Sequence, residues 1–396
     1  MWATALLAVS VLMHGHSVWT SGLLDREGRF KASDFMRLYV TGSLASQGRW
    51  SELFNAKAHV REAQARIDPS IQMGGLRPNY GPTAAIMLAP LSRLDVLHSW
   101  ALFSLLSVAV FLLSVRVLAA RCGALAASMP LVVLICAASP ALFITLRYGQ
   151  LSAFTTALFI AAVTLDRDGR PVLAGCCLGM VAFKPQLVIP AGIVWLASQH
   201  WRLLGGLTLG VALHLAVGLL VAGPSVTLEW FRTLIALAQD PNLVQGFPHE
   251  VHSLRGFWRL LGATPPGLSW LTAASIAAVI VGTVWIWRIR AAPEYHWAAL
   301  VTATVLVSPH LLTYDLLLMT VPLILISAVS FGARAQSRGL KWLAGGIYLA
   351  PLISPTIAGL VGIQISTLLC AGLLSVIWRY VTVVDSGSSR SPSISS

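Results

Sequence analysis

A succession of apolar stretches, each near the length of a bilayer-spanning helix, leaves this chain few folds to choose from. They fall at about 2–20, 95–118, 126–146, 150–165, 171–184, 185–198, 201–222, 269–289, 294–308, 311–330, 340–356 and 358–380. Lipid offers no partner to an unpaired backbone N–H or C=O, so a segment in the bilayer must satisfy its own, and a helix of about 20 apolar residues does so. The spacing predicts an all-α polytopic membrane protein with about twelve crossings. Composition agrees: 56% of the 396 residues are hydrophobic and only 11% are charged, against about a quarter in ordinary soluble domains.

The net charge of +12 does not mark a nucleic-acid surface, because the basic residues stand singly or in pairs between apolar segments. Arg116 with Arg121, Arg167 with Arg170, Arg202, Arg288 with Arg290, Arg334 with Arg338 and Lys341, and Arg379 alternate with the predicted spans so as to share one side. Short loops rich in Lys and Arg stay cytoplasmic, which predicts both termini inside. Arg26, Arg29 and Lys31 run against the pattern, but they belong to a loop reaching to about residue 80, and long loops translocate largely regardless of charge. The segment 2–20 lacks a basic leader and an obvious small-residue cleavage site, so it reads as a retained helix. The five cysteines form no disulfide framework. A single membrane domain is expected over 1–384, with extracytoplasmic loops at 21–82 and 223–268 and a Ser-rich disordered cytoplasmic tail over 385–396.

With that topology the outer connections collect most of the polar oddities of the chain. They are Asp34 with Asn79-Tyr80; Arg147-Tyr148-Gly149-Gln150; Lys184-Pro185-Gln186; His249, Glu250, His252 and Arg255; and Ser308-Pro309-His310 through Tyr314-Asp315. Five sequence-distant groups on one face predict one extracytoplasmic site. Within the first loop, Phe35, Leu38, Tyr39 and Gly42 follow helical spacing, and a second helix over about 51–67 stops at Asp68-Pro69.

Asp34 follows Ser33 at the start of that first helix, so it reads either as an N-cap accepting backbone N–H bonds or as a base. Lys184 lies between Phe183 and Pro185 in apolar sequence, where an ammonium costs about 2.5–3.5 kcal/mol at mid-bilayer. It either binds an anionic group, a phosphate being favoured, or snorkels to the interface. Arg147, Arg255 and His310 are candidate partners of Lys184 on that phosphate, the two arginines also suiting interfacial anchoring. Candidate sugar- or acceptor-binding residues are Tyr39, Tyr80, Gln150, Gln186, His252, Tyr314 and Asp315. His249 and His252 are three apart, not four as in His-Glu-x-x-His, and no metal is expected. Asp166-Arg167-Asp168 sits in a short basic turn and reads as solvated ion pairs. The absence of a Walker loop, a Gly-x-Ser-x-Gly elbow and a dinucleotide fingerprint removes support for ATP-driven transport and serine hydrolysis.

Taken in order, these blocks resemble a known family. Asp34-Phe35 through Tyr39, Gly42 and Gly48, Leu53-Phe54-Asn55, Tyr80-Gly81-Pro82 and Leu88-Ala89-Pro90-Leu91-Ser92 resemble the first-loop pattern of glycosyltransferase family 87, the polyprenol-phosphate-mannose-dependent mannosyltransferases. Gly149-Gln150, Ala174-Gly175 through Gly179 to Lys184-Pro185-Gln186, Ser253-Leu254-Arg255-Gly256 and Ser308-Pro309-His310 through Tyr314-Asp315-Leu316 resemble its later blocks. The family commonly has Leu-Tyr-Asp and Tyr-Pro-Pro where this chain has Leu53-Phe54-Asn55 and Tyr80-Gly81-Pro82.

The resemblance implies a type-C glycosyltransferase bundle in the plasma or inner membrane, working without a cofactor. It implies a polyprenyl-phosphate sugar donor, a glycolipid or glycan acceptor, and an acidic base early in the first outer loop, which maps onto Asp34. The rival reading of the same residues is a lipid or polysaccharide transporter, but transporter sites lie near the midplane and come with internal repeats; no fixed-period repeat is evident here.

Overall fold

The computed structural model of the protein describes residues 2–71, 79–239, 248–332 and 338–388. Among them there is no strand, only the isolated bridges Leu24–Phe30 and Val251–Leu312. Six helices are long and apolar enough to cross a bilayer: Val96–Arg121, Trp201–Ala222, Gly267–Arg288, Thr313–Ser330, Arg338–Val361 and Ile365–Thr382. The pair Met129–Ala137 and Pro140–Tyr148, bent by 45°, makes a seventh if it counts as one span. The other expected crossings are helices of 9 to 17 residues, such as Pro171–Gly179 and Trp2–Val18.

Proline accounts for much of the shortness of these segments. It starts the helices Pro140–Tyr148, Pro171–Gly179 and Pro293–Val307, because its fixed φ suits a first turn and its missing N–H is not needed there. Pro185 likewise breaks the apolar run 171–198 into short 3-10 turns at Met180–Phe183 and Pro185–Leu187. Pro351 and Pro355, by contrast, lie inside Arg338–Val361 without ending it. The final helix runs to Ser388, across the start of the tail expected from 385; residues 389–396 and Arg334 lie outside the described residues.

The interior is built around Pro293–Val307, whose residues from Trp297 onward are all buried. At its edge, two short-residue pairs bring helices into contact. Gly175 and Gly179 face Gly206 and Gly210 so closely that a Cβ on Gly175 would lie 2.1 Å from the Leu203 carbonyl oxygen, and one on Gly206 would lie 2.1 Å from that of Val172. Small residues four apart permit this approach of two backbones, and it fixes the base of the segment that carries Lys184. The helix Gly267–Arg288 is the opposite case, with 11% of its apolar window buried and its remaining face turned to the surroundings.

The polar connections gather into two groups. In one, Arg121 pairs with Asp168 at 3.0 Å, Arg167 pairs with Glu294, Asp166 accepts from Trp297, and Arg288 donates to the Ala197 carbonyl. The Asp166-Arg167-Asp168 turn is thus engaged in ion pairs and a tryptophan bond. The other group contains the first loop and the candidate site.

That loop is a folded cap. The helix Ser33–Ser46 buries Phe35, Leu38, Tyr39 and Val40. The second expected helix resolves into a 3-10 turn, Trp50–Glu52, and the helix Ala56–Arg66 capped by the Asn55 side chain. The two helices are tied by Glu62, which accepts from Ser43 and Gln47 at 2.6 Å each and from Arg49 at 2.7 Å. Two of the three cations that ran against the topology are also consumed locally: Lys31 donates to the carbonyls of Thr20 and Gly22, and Arg29 pairs with Glu27.

Burial opposes ionisation of Glu62, but hydrogen bonds from Ser43, Gln47 and Arg49, and the Arg49 charge, outweigh it and hold the carboxyl below its usual range. A carboxyl depressed in the folded state adds stability that is complete above its unfolded pKa of about 4.3 and is lost as pH falls through the folded value. Protection factors of amides in the Ser33–Arg66 cap, taken against the intrinsic exchange rate at each pH, should therefore fall below about pH 4. Glu62→Gln should exchange faster at pH 7 and respond less to acid; matching acid profiles in the two proteins would remove Glu62 from this role.

Candidate active site

Asp34 lies in the first turn of Ser33–Ser46. The residue preceding that helix is Ala32, in the left-handed region at φ 51°, and no side chain caps the helix. The capping alternative for Asp34 is therefore corrected: with the helix beginning at Ser33, its carboxylate is not spent on the helix end. Instead Oδ2 accepts from Gln150 Nε2 at 2.6 Å, and the Arg37 guanidinium stands 3.6 Å from Oδ1. The second distance exceeds a hydrogen bond, so Oδ1 retains lone pairs.

Gln150 is delivered by a glycine. Gly149 ends Pro140–Tyr148 at φ 69° and packs on Phe35, where a Cβ would come within 2.4 Å of the phenylalanine Cβ. A left-handed residue with no side chain is what this contact requires, and it sets the next residue against Asp34. The Gln150 amide is fully used: Oε1 accepts from the Tyr80 hydroxyl at 2.8 Å, while Nε2 donates to Asp34 and to the Tyr314 hydroxyl at 3.1 Å. An ionised carboxylate only accepts, so this orientation of the amide is the consistent one. Gln150, Tyr80 and Tyr314 are all buried.

Below them, Lys184 Nζ donates to Asp315 Oδ1 at 2.6 Å, and Ser152 Oγ donates to the same oxygen at 2.6 Å. The ammonium also lies 5.4 Å from the centre of the Tyr314 ring, a cation–π distance. Lys184 therefore neither snorkels nor stands free for a phosphate: its charge is answered by a carboxylate within the protein, as a buried ion requires.

Arg147 is likewise committed. Expected on the phosphate, it here pairs with Glu27 at 2.9 Å and Asp25 at 3.3 Å. Burial works against ionisation of Asp25, but backbone bonds from Arg29 and Glu27 and the charge of Arg147 keep its carboxyl below the usual range. Tyr39 is buried in the cap with its hydroxyl on the Leu94 carbonyl, and His252 is wholly buried between Ser366 and Thr313. Both were expected to touch sugar or acceptor; packing of the cap and a buried hydrogen-bonded post are what occupies them. Gln186 is half-buried, its carbonyl accepting from Ser308.

Arg255 and His310 line a second hollow together with Arg259. Burial first, and the Arg255 charge second, push the His310 imidazole down to about 4, so it is neutral at pH 7. Glu250, next in sequence to Val251 on that hollow, has its carboxyl pushed up by burial despite His249, and Asp34 raises it further. Sequence patterns had singled out neither Arg37, Ser152 nor Arg259. Arg37 was the most readable of the three, being one turn from Asp34. Among the described residues no group of three or more His, Cys, Asp and Glu side chains is arranged to hold a metal.

Removing one partner of a buried pair leaves an uncompensated charge and costs about 3–5 kcal/mol, whereas replacing both by apolar groups is often neutral. Lys184→Met should therefore lower the thermal stability of the purified protein markedly, and Lys184→Met with Asp315→Leu should recover most of the loss. A single variant as stable as the parent would show that the pair is not what holds this layer.

The chain was compared with known families and proteins. The family model for glycosyltransferase family 87 matches residues 79–309. That interval contains Tyr80, Gln150, Lys184, His252 and Arg255, and leaves Asp34, His310, Tyr314 and Asp315 outside. No curated protein and no solved structure matches the chain. With more than half of its length matched by one family model over the segments that build the Gln150 and Lys184 layers, the chain belongs to glycosyltransferase family 87.

Proposed function

We propose that this membrane glycosyltransferase transfers a hexose, mannose being favoured, from a polyprenyl-phosphate sugar to a glycolipid or glycan acceptor, at the extracytoplasmic face of the cell membrane. The observation that carries the reading is the state of Asp34. Its carboxylate is held by Gln150 on one oxygen and left open on the other, at the end of a helix that the folded cap presses against the bundle.

The chemistry is a single inverting displacement. The acceptor hydroxyl gives its proton to Asp34 Oδ1 while its oxygen attacks the sugar C1; the C1–O bond to phosphate breaks, and the polyprenyl phosphate leaves with the electron pair. General-base assistance of this kind contributes about 10²–10⁴ in rate. Gln150 fixes the direction of the base, and Tyr80 and Tyr314 fix Gln150. Because Lys184 and Arg147 are answered by acids, the developing negative charge on the leaving phosphate falls to Arg255 and His310. Such groups act most strongly where water is excluded.

Incubating the purified protein with polyprenyl-phosphate mannose and a glycolipid acceptor should release free polyprenyl phosphate and give a product whose anomeric configuration is opposite to that of the donor. A transporter would move lipid between leaflets without releasing it. Retention of configuration would rule out the single displacement.

A further inference from the structure

One hollow in the molecule is bordered by Arg255. It encloses about 820 Å³ between the short helix Leu254–Leu260 and the start of Gly267–Arg288. Two arginines on one face of the short helix, Arg255 and Arg259, open into it, opposite Thr272 and the apolar side chains Leu268, Ala273 and Ile276. Among the described residues no acidic side chain lines it, nor the smaller hollow that adjoins it at Arg255, Arg259 and His310. Among the described residues neither arginine makes an ion pair.

This arrangement is unfavourable by itself. Like charges at i and i+4 on a helix repel, and Arg259 Nη1 and Thr272 Oγ1 are both buried without a hydrogen-bond partner. A buried guanidinium N–H left unpaired is costly, and such groups occur where an acceptor is supplied from outside the chain. Arg147 is answered by Asp25 and Glu27, and Arg37 stands 3.6 Å from Asp34 with its own Nε unpartnered. Arg255 and Arg259 differ from both in having no carboxylate beside them among the described residues.

Its second wall says what kind of anion fits. Gly267–Arg288 has little of its apolar surface buried, and Trp270 and Leu271 at its beginning are exposed. A hollow with two cations on one side and a bilayer-facing apolar helix on the other suits a molecule with a phosphate head and a hydrocarbon tail. We propose that Arg259, with Arg255, binds the phosphate of the lipid-linked donor in this hollow, the tail leaving along Gly267–Arg288. The inference rests on the proposed donor chemistry and names the place and residue that hold its head group. Planar guanidinium groups suit two-point contact with phosphate oxygens. Pro248 and Val251, on the rim of the smaller hollow, flank Glu250, which senses the charge of Asp34, so the head group and the base share one neighbourhood.

Binding can be read without turnover. Free polyprenyl monophosphate, unphosphorylated polyprenol and inorganic phosphate would each be titrated against the protein in lipid nanodiscs. The parent should bind the monophosphate far better than either of the other two. Arg259→Met should weaken monophosphate binding about ten- to a hundredfold and leave polyprenol binding unchanged, and Arg259→Lys should recover part of the loss. Asp34→Asn should bind the monophosphate like the parent, so failure of the catalytic reading would show in transfer and not in this titration. Undiminished monophosphate binding by a folded Arg259→Met protein would overturn the proposal. Equal affinity of the parent for inorganic phosphate and the monophosphate would overturn the lipid part of it.

Discussion

The buried contact between Lys184 and Asp315 is the constraint from which the polar end of the bundle is built. An ammonium in this interior has to be neutralised, and Asp315 does so at 2.6 Å with Ser152 sharing the oxygen. The pair joins the broken segment around Pro185 to the 3-10 turn Thr313–Met319. With that turn fixed, Tyr314 lies over the ammonium and its hydroxyl meets Gln150. Gln150 in turn holds Asp34. A chain of contacts thus runs from a charge inside the bundle to the carboxylate of the cap, across the Pro185 break, the Thr313–Met319 turn, the Gly149 corner and the first helix of the cap.

The division of labour among the cations follows. Electrostatics inside a protein is strong in both directions: a paired ion stiffens its surroundings and an unpaired one is costly. Lys184 and Arg147 have been used for architecture, the first within the bundle and the second to staple the beginning of the loop through Asp25 and Glu27. Arg255 and Arg259 have not, and they border open space. On the proposed reaction, with a charged leaving group, the cations that count are the ones the protein leaves unanswered.

Periodicity and composition were enough to read the helical class, the two helices of the cap and the stop at Asp68-Pro69, because these are local. Alternating charge in the connections also brought Asp34, Gln150, Lys184, Tyr314 and Asp315 into one list, and they do meet. What they do on meeting was not legible. The partners Lys184 and Asp315 are 131 residues apart, and Arg147 and Asp25 are 122 apart, so only the folded chain shows that each cation already has its acid. Apolar content predicts about twelve crossings but does not register the proline breaks at 140, 171, 185 and 293, which leave several of those segments as short helices. Arg259 carried no signal, since an arginine near a helix end in such a sequence is ordinarily an interface anchor; its buried, unpartnered Nη1 is visible only in three dimensions.

The central claim, that Asp34 takes the acceptor proton, is tested most directly by single-turnover transfer with Asp34→Asn. The amide is nearly isosteric and can still face Gln150 after a flip of either side chain, so the cap and the bundle should stay folded. The account predicts that sugar transfer falls by about 10²-fold or more with the protein otherwise intact. Transfer by Asp34→Asn at a rate near that of the parent would contradict it.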